Sequence, residues 1–552
     1  LHDALPILTA IRPDKKEVEI KNLSTGETYT ETYDKLVLSP GAEPLRPGIE
    51  GIGSKKIFTL RNVPDTDTIK NYVNTENPKR AIVVGGGFIG LEMAENLHDL
   101  GIQVDVVEMA NQVMAPLDFS MAAIVHRQLT DKGVGLHLED GVSRFEEKDG
   151  GVTVHLRSGK QIATDMVLLS IGVRPETKLA KDAGLAIGER GGIAVNDYMQ
   201  TSDADIYALG DAVEVRHLVT GQPALIPLAG PANKQGRIVA DNIVFGNKKK
   251  YPGSIGTSIA KVFDLTVAAA GANAKLLQQN NIPYISSYTH GASHAGYYPG
   301  AVPLSIKILF APENGKLLGA QIVGFNGVDK RIEMLAQVIQ RGGTVHDLAE
   351  LEHAYAPPYS SAKDPVNMAG FVAENILNKK SRIIQWRELA ELPADTIRID
   401  VRTHDEYKLG TIPGFINIPV DELREHLDEL PKEKPIVVTC AVGLRGNLAY
   451  RILVQNGFKH VRNLSGGYKT WSVATAPIKE IVSHKPEIPE STSYGNSDSQ
   501  INLLKVDACG LMCPGPVMQL KKNYEALKIG EQLQITATDQ AFGKDVTSWC
   551  KM

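Results

Sequence analysis

Ala81-Ile-Val-Val84-Gly85-Gly86-Gly87-Phe88-Ile89-Gly90-Leu91-Glu92 decides how the first part of this chain folds. Four apolar residues read as a buried strand, glycines follow at G-x-G-x-x-G spacing, and Leu91 to Leu100 repeats apolar residues at helical intervals until Gly101. This is the opening of a βαβ unit. Gly85 makes the turn, Gly87 admits a pyrophosphate, Gly90 lets helix and strand pack closely, and the helix N-terminus faces the phosphates. Gln103-Val-Asp-Val-Val-Glu108 reads as the second strand. At its end Glu108 can accept hydrogen bonds from a free ribose 2′-hydroxyl and repel a 2′-phosphate, which favours NADH but leaves NADPH open.

The 552 residues exceed what one hydrophobic core serves, so an α/β chain of three or four domains is expected. Lys and Arg number 59 against 64 Asp and Glu, a net charge of -5 with no long basic run, so no nucleic-acid partner is expected. No apolar stretch has membrane-spanning length and no signal sequence opens the chain, so the expectation is a cytoplasmic protein without a membrane partner. The four cysteines, Cys440, Cys509, Cys513 and Cys550, lie in the last quarter, which fits a reducing compartment. The last three are one ligand short of a zinc site, and no metal is expected. Leu1–Ile7 reads as a non-native leader, and Trp549–Met552 stops inside an unfinished small α/β pattern, so both ends are expected to be cut.

Cys440-Ala-Val-Gly443-Leu-Arg445-Gly446 follows the apolar run Pro435–Thr439 and precedes a helical stretch expected from near Asn447. Such a loop can turn successive amides inward and, with Arg445, hold a sulfur anion; a buried structural cysteine is the alternative. Residues 476–500 are rich in Pro, Ser, Glu and Lys, and read as a tether. Beyond them Cys513 precedes Pro514 at an expected helix start, where unpaired amides favour a thiolate; an inert capping cysteine is the alternative.

Beyond the glycine fingerprint stand Tyr33-Asp-Lys-Leu-Val-Leu-Ser39-Pro40-Gly41-Ala42, Ile171-Gly172-Val-Arg-Pro-Glu176, Leu209-Gly210-Asp211-Ala212 and the helix start at Ala229. Together they resemble the flavin-dependent pyridine nucleotide-disulfide oxidoreductases. The resemblance implies FAD and NAD(P)H, with Ser39, Gly41, Gly172, Gly210, Asp211 and Ala229 around the cofactors and Glu92 near the nicotinamide. Asp211 could equally cap a helix, and Glu92 could serve the helix dipole. It implies this division: residues 8–78 and 198–252 a remnant of an FAD-binding domain, 79–197 an NAD(P)-binding domain, and 253–378 a dimerisation domain.

Ser293-His-Ala-Gly-Tyr297-Tyr298 and Glu352-His-Ala-Tyr355-Ala-Pro-Pro-Tyr359 sharpen the resemblance to coenzyme A-disulfide reductases. There a tyrosine from each segment reaches across a homodimer toward the reacting sulfur, a role implied for Tyr297 and Tyr355 ahead of Tyr298 and Tyr359. The bland alternative is interface packing. Residues 383–475 resemble a rhodanese domain, implying that Cys440 carries a persulfide stabilised by loop amides and Arg445. Residues 501–552 resemble a TusA-like sulfur carrier, implying that Cys513 accepts that sulfur. Neither a flavin-binding βαβ unit nor a redox cysteine occurs before Leu8, so the parent protein is expected to be the reductase and this stretch alone to lack that activity. The expected function is NAD(P)H-dependent reduction of coenzyme A disulfide, coenzyme A persulfide or polysulfide, with sulfane sulfur relayed toward acceptor proteins. The alternatives are an NADH oxidase or peroxidase, and a sulfur-delivery protein with a non-catalytic nucleotide domain.

Overall fold

The computed structural model describes residues 7–478, 503–508, 515–524, 526–527, 532–537, 542 and 546. Arg80–Val84 is the centre of a five-stranded parallel sheet in the order Ile57–Phe58, Met166–Leu169, Arg80–Val84, Gln103–Val107, Gly135–His137. Central parallel strands are covered on both faces and so read as continuous apolar runs, as in the wholly buried Met166–Leu169. Helices Phe88–Asp99 and Phe119–Asp131 supply apolar residues to the same core. The edge strand Ile57–Phe58 lies ahead of the boundary at 79 taken from the sequence, because two residues carry no periodicity. The first helix begins at Phe88, three residues before its apolar repeat, and the second strand ends at Val107, leaving Glu108 just beyond it.

Leu36–Leu38 and Ile206–Ala208 pair in parallel, so the loops Ser39–Gly41 and Gly210–Ala212 leave the same end of two neighbouring strands. Helix Ala229–Phe245 packs against the second loop.

An antiparallel five-stranded sheet follows, ordered Ser258–Val262, Leu265–Gly271, Leu317–Gly324, Pro303–Phe310, Ile285–Ala292. It shares one apolar cluster with the nucleotide sheet, running from Val83 and Leu91 to Val262 and Phe263. Polar groups fix that junction. Lys307 and Asp118, each 7% exposed, pair at 2.8 Å, and Gln321 donates to the same Asp118 oxygen at 2.8 Å. Burial opposes the ammonium charge of Lys307, but Tyr288 and Asp118 facing it hold its pKa above the ordinary value.

Ile383–Ile384, Val461–Leu464, Ile436–Thr439, Ile397–Asp400 and Ile416–Asn417 form a third, parallel sheet in that order. This unit is docked on the other two. The Trp386 and Phe119 rings stack at 6.2 Å, Gln385 donates to the Ser286 carbonyl at 2.8 Å, and the Tyr288 amide donates to Ser465 Oγ at 3.2 Å. Further on, Leu503–Asp507 and Gln532–Thr536 pair in parallel, with helix Gly515–Tyr524 between them in the chain. No helix among the described residues is long and apolar enough to cross a membrane.

His126, buried in helix Phe119–Asp131, takes the Val113 amide on Nε2 at 3.2 Å. Burial pulls its pKa from 6.5 to about 4. Between those values the unfolded chain binds a proton that the folded chain refuses, so this contribution is complete above pH 6.5 and shrinks as pH falls toward 4. From pH 7 to pH 5 the loss is about 2 kcal/mol. In urea titrations of the nucleotide-binding unit, His126→Gln, which keeps an acceptor for Val113, is expected to lose that much less stability than the parent sequence over the same interval.

Candidate functional site

The fingerprint glycines divide their labour by position. A Cβ on Gly85, at φ +108°, would stand 2.1 Å from the Ser170 carbonyl oxygen, and one on Gly90 would stand 2.1 Å from that of Gly85. Both are close approaches that only glycine allows. Gly87, the residue before the helix, faces open space with nothing within 4 Å, which suits a pyrophosphate at the helix N-terminus. Glu108 accepts the Gly86 amide at 2.8 Å through one oxygen and the Ala110 amide at 2.8 Å through the other. It therefore braces the glycine loop from the end of the second strand. Glu92 is exposed on the first turns of the helix.

The second cradle also fits the group the motifs imply. Gly210, at φ +80°, donates its amide to Gln235 Oε1 at 2.8 Å, and a Cβ there would meet Ser39 Oγ at 3.5 Å. Burial raises the pKa of Asp211. Gly41 and Gly172 adopt positive φ, their carbonyls accept the Glu176 and Leu45 amides at 3.0 Å each, and Arg61 donates to the Pro40 carbonyl at 2.9 Å. Ala229 begins its helix without a side-chain cap, so the first amides there stand free of a capping side chain.

Tyr297 and Tyr355 meet: their hydroxyls are 2.7 Å apart. They are 77% and 47% exposed, and the hydrogen bond to Tyr297 raises the pKa of Tyr355. Tyr298 instead sets its ring edge-on to His294, and Tyr359 is exposed without joining the pair.

Cys440 directly follows strand Ile436–Thr439, and the next helix starts at Leu444, three residues earlier than its sequence pattern suggests, because Gly443 at φ +112° turns the chain directly into it. The Gly443 amide donates to Cys440 Sγ at 3.1 Å. Arg445 departs from its expected role. Its guanidinium makes two parallel bonds to Glu406, at 2.6 and 2.7 Å, rather than reaching the sulfur. Burial pushes the Glu406 carboxyl up, and the bonds from Arg445 and Thr403 together more than reverse it. Glu406 raises Arg445 in turn, with smaller contributions from Cys440 and Asp400, so a fixed positive charge still stands near the sulfur. The fork of a guanidinium matches a carboxylate better than a single sulfur, which is why a partner 39 residues away takes it.

The loop carbonyls are held from another side. Tyr468 and Lys469, at the start of helix Gly467–Thr475, donate their amides to Cys440 O at 2.8 Å and Ala441 O at 2.9 Å. Behind Tyr468 lies Arg402, its guanidinium 4.3 Å from the ring centre, bound to Asp400 at 2.6 Å and to the Gly410 carbonyl at 2.7 Å. Through Glu406, Arg402, Gly466 and Gly467 the loop draws on segments far apart in the chain. Cys509, Cys513 and Cys550 lie outside the described residues.

Cys440 is only 1% exposed, so its sulfur suits small reagents. Mass spectrometry of the Cys440 peptide is expected to show one added sulfur after thiosulfate treatment of native protein. A bulky aromatic disulfide is expected to modify it much more slowly in native than in urea-unfolded protein.

Four family models match the chain: pyridine nucleotide-disulphide oxidoreductase over residues 7–236, its dimerisation domain over 257–365, a rhodanese-like domain over 386–474, and sulfurtransferase TusA over 504–552. Coenzyme A disulfide reductase of Staphylococcus haemolyticus is 33% identical over 392 residues, 68% of this chain and 87% of that protein. The solved structure of reduced Bacillus anthracis CoADR-RHD is 51% identical with a TM-score of 0.83, covering 85% of this chain and 84% of that one. A NAD-dependent persulfide reductase from A. fulgidus is 40% identical with a TM-score of 0.79, covering 84% and 85%.

Proposed function

Because this chain belongs to the pyridine nucleotide-disulphide oxidoreductases, we propose for the parent protein expected above NAD(P)H-dependent reduction of coenzyme A disulfide or persulfide, with sulfane sulfur passed through Cys440 to Cys513. One observation carries this reading: a cysteine loop of persulfide-binding shape is built onto the nucleotide-binding core of the same chain. An oxidase would have no use for it.

FAD, when bound, supplies the transfer of reducing equivalents from nicotinamide to sulfur. The chain's own residues do the rest. Gly87 would receive the nucleotide pyrophosphate in the loop that Gly85 and Gly90 shape, Glu108 would take the ribose, and Glu92 would stand on the nicotinamide side. Ser39, Gly41, Gly172, Gly210, Asp211 and Ala229 would line the flavin site. In a homodimer, the Tyr297 and Tyr355 hydroxyls present donors to the leaving thiolate of coenzyme A in the partner's site.

At the second centre, the Cys440 thiolate attacks the outer sulfur of a persulfide, forming Cys440–S–S⁻ and releasing the donor as a thiol once it takes a proton. The Gly443 amide holds the anion, and the Arg445 guanidinium, itself bound to Glu406, stands nearby as a positive charge. Cys513 thiolate then takes the terminal sulfur and regenerates Cys440. The Pro, Ser, Glu and Lys-rich stretch 476–500 supplies the tether for this exchange. Downstream acceptor proteins complete the relay.

The test is anaerobic NADH oxidation by the FAD-loaded parent protein. Coenzyme A disulfide or persulfide is expected to drive NADH consumption without oxygen, and Cys440→Ser is expected to remove sulfur labelling of Cys513 while sparing that consumption. NADH consumption that needs oxygen would assign an oxidase instead. Labelling of both cysteines by a protein that consumes no NADH would assign a sulfur-delivery protein.

A further inference from the structure

Arg331 is the largest wholly buried side chain described, 0% exposed, and lies outside every motif above. Its fork serves three places. Nε and Nη2 bind the Asp364 carboxylate at 2.8 to 3.1 Å, Nη2 also donates to the Ser293 carbonyl at 2.9 Å, and Nη1 donates to the Gly327 carbonyl at 2.9 Å. Ser293 begins the segment that carries Tyr297. Asp364 follows the segment that carries Tyr355 and takes the Ser360 hydroxyl at 2.6 Å. The Ala295 amide closes the seam on the Ser360 carbonyl at 2.9 Å.

Above this seam the two tyrosines, 58 positions apart in sequence, are exposed and held by their mutual bond. An exposed hydroxyl pair competes with water and gains little by itself, so it keeps its geometry only where the backbones beneath are fixed. We propose that Arg331 is a positioning residue: by binding both tyrosine-bearing segments at once, it sets the Tyr297–Tyr355 hydroxyl pair that faces the reacting sulfur of a coenzyme A substrate. This rests on the reading of that pair given under Proposed function. Lysine could not replace it, because a point charge cannot serve a carboxylate and two carbonyls in one plane.

Removing Arg331 alone would leave the Asp364 charge buried and could unfold the domain, whereas exchanging both partners for apolar residues commonly preserves folding. The test variant is therefore Arg331→Met with Asp364→Leu, beside Arg331→Lys. Protein labelled with 3-fluorotyrosine is followed by 19F NMR, with Tyr297 and Tyr355 assigned through Tyr297→Phe and Tyr355→Phe. Sulfur loading of Cys440 serves as the folding control.

In both variants the two resonances are expected to move to the position of free surface tyrosines, and the ionisation of Tyr355 to return toward the ordinary phenol range, with Cys440 loading unchanged. An unchanged pair signal in either variant, with Cys440 loading intact, overturns the proposal. The reading beneath it fails separately: if Tyr355→Phe leaves kcat for coenzyme A disulfide in the parent protein unchanged, the pair has no part in reduction, whatever Arg331 does to its spectrum.

Discussion

The Gly466–Gly467 turn is where the Cys440 unit is pressed against the antiparallel sheet. Both residues lie at positive φ, +77° and +59°. A Cβ on Gly467 would stand 2.4 Å from the Cys440 carbonyl oxygen, and one on Gly466 would stand 2.9 Å from Tyr288 Cβ in the antiparallel sheet. Neither contact tolerates a side chain without backbone movement. The turn thus lets one helix start touch the sulfur loop on one side and the core on the other, and its next two amides fix that loop through the Cys440 and Ala441 carbonyls.

The same helix is keyed into the core by a neutral imidazole. His290, half-buried at the seam, meets Thr470 at 2.8 Å through Nε2 and Ser305 at 2.9 Å through Nδ1. Burial holds its pKa well below the ordinary value, so it bridges as an uncharged group. Together with the Trp386–Phe119 stack, this makes the Cys440 unit an integral part of the nucleotide-binding body. Under the proposed relay the consequence would be economy of motion: a donor would meet a fixed loop, and the acceptor would have only to find that one place.

What the sequence made legible is what depends on near neighbours in the chain. The strand, glycine turn and helix from Ala81 to Leu91 show themselves because each glycine answers a local steric demand. The Cys440 loop shows itself because a cysteine followed by glycine and arginine sits between a buried strand and a helix. Tyr297 and Tyr355 could be paired only by resemblance, since no local pattern joins residues so far apart.

Contacts decided by distant partners stayed hidden. The sequence sets Arg445 beside the nearest anion, the sulfur, whereas the carboxylate that matches its fork arrives from Glu406. Ile57–Phe58 joins the nucleotide sheet on the strength of neighbours more than a hundred residues away. Arg331 looks like an ordinary surface-type residue until folding encloses it.

Gly467→Ala puts the central claim, a Cys440 sulfur kept ready by a loop that the glycine turn fixes, to the most direct test. The measurement is the mass of the Cys440 peptide over time after thiosulfate is added to native protein of unchanged circular dichroism. The account expects the parent sequence to gain a single sulfur there quickly and the variant to gain it far more slowly. Equal loading of the two, or a parent protein that stays unmodified, would contradict it.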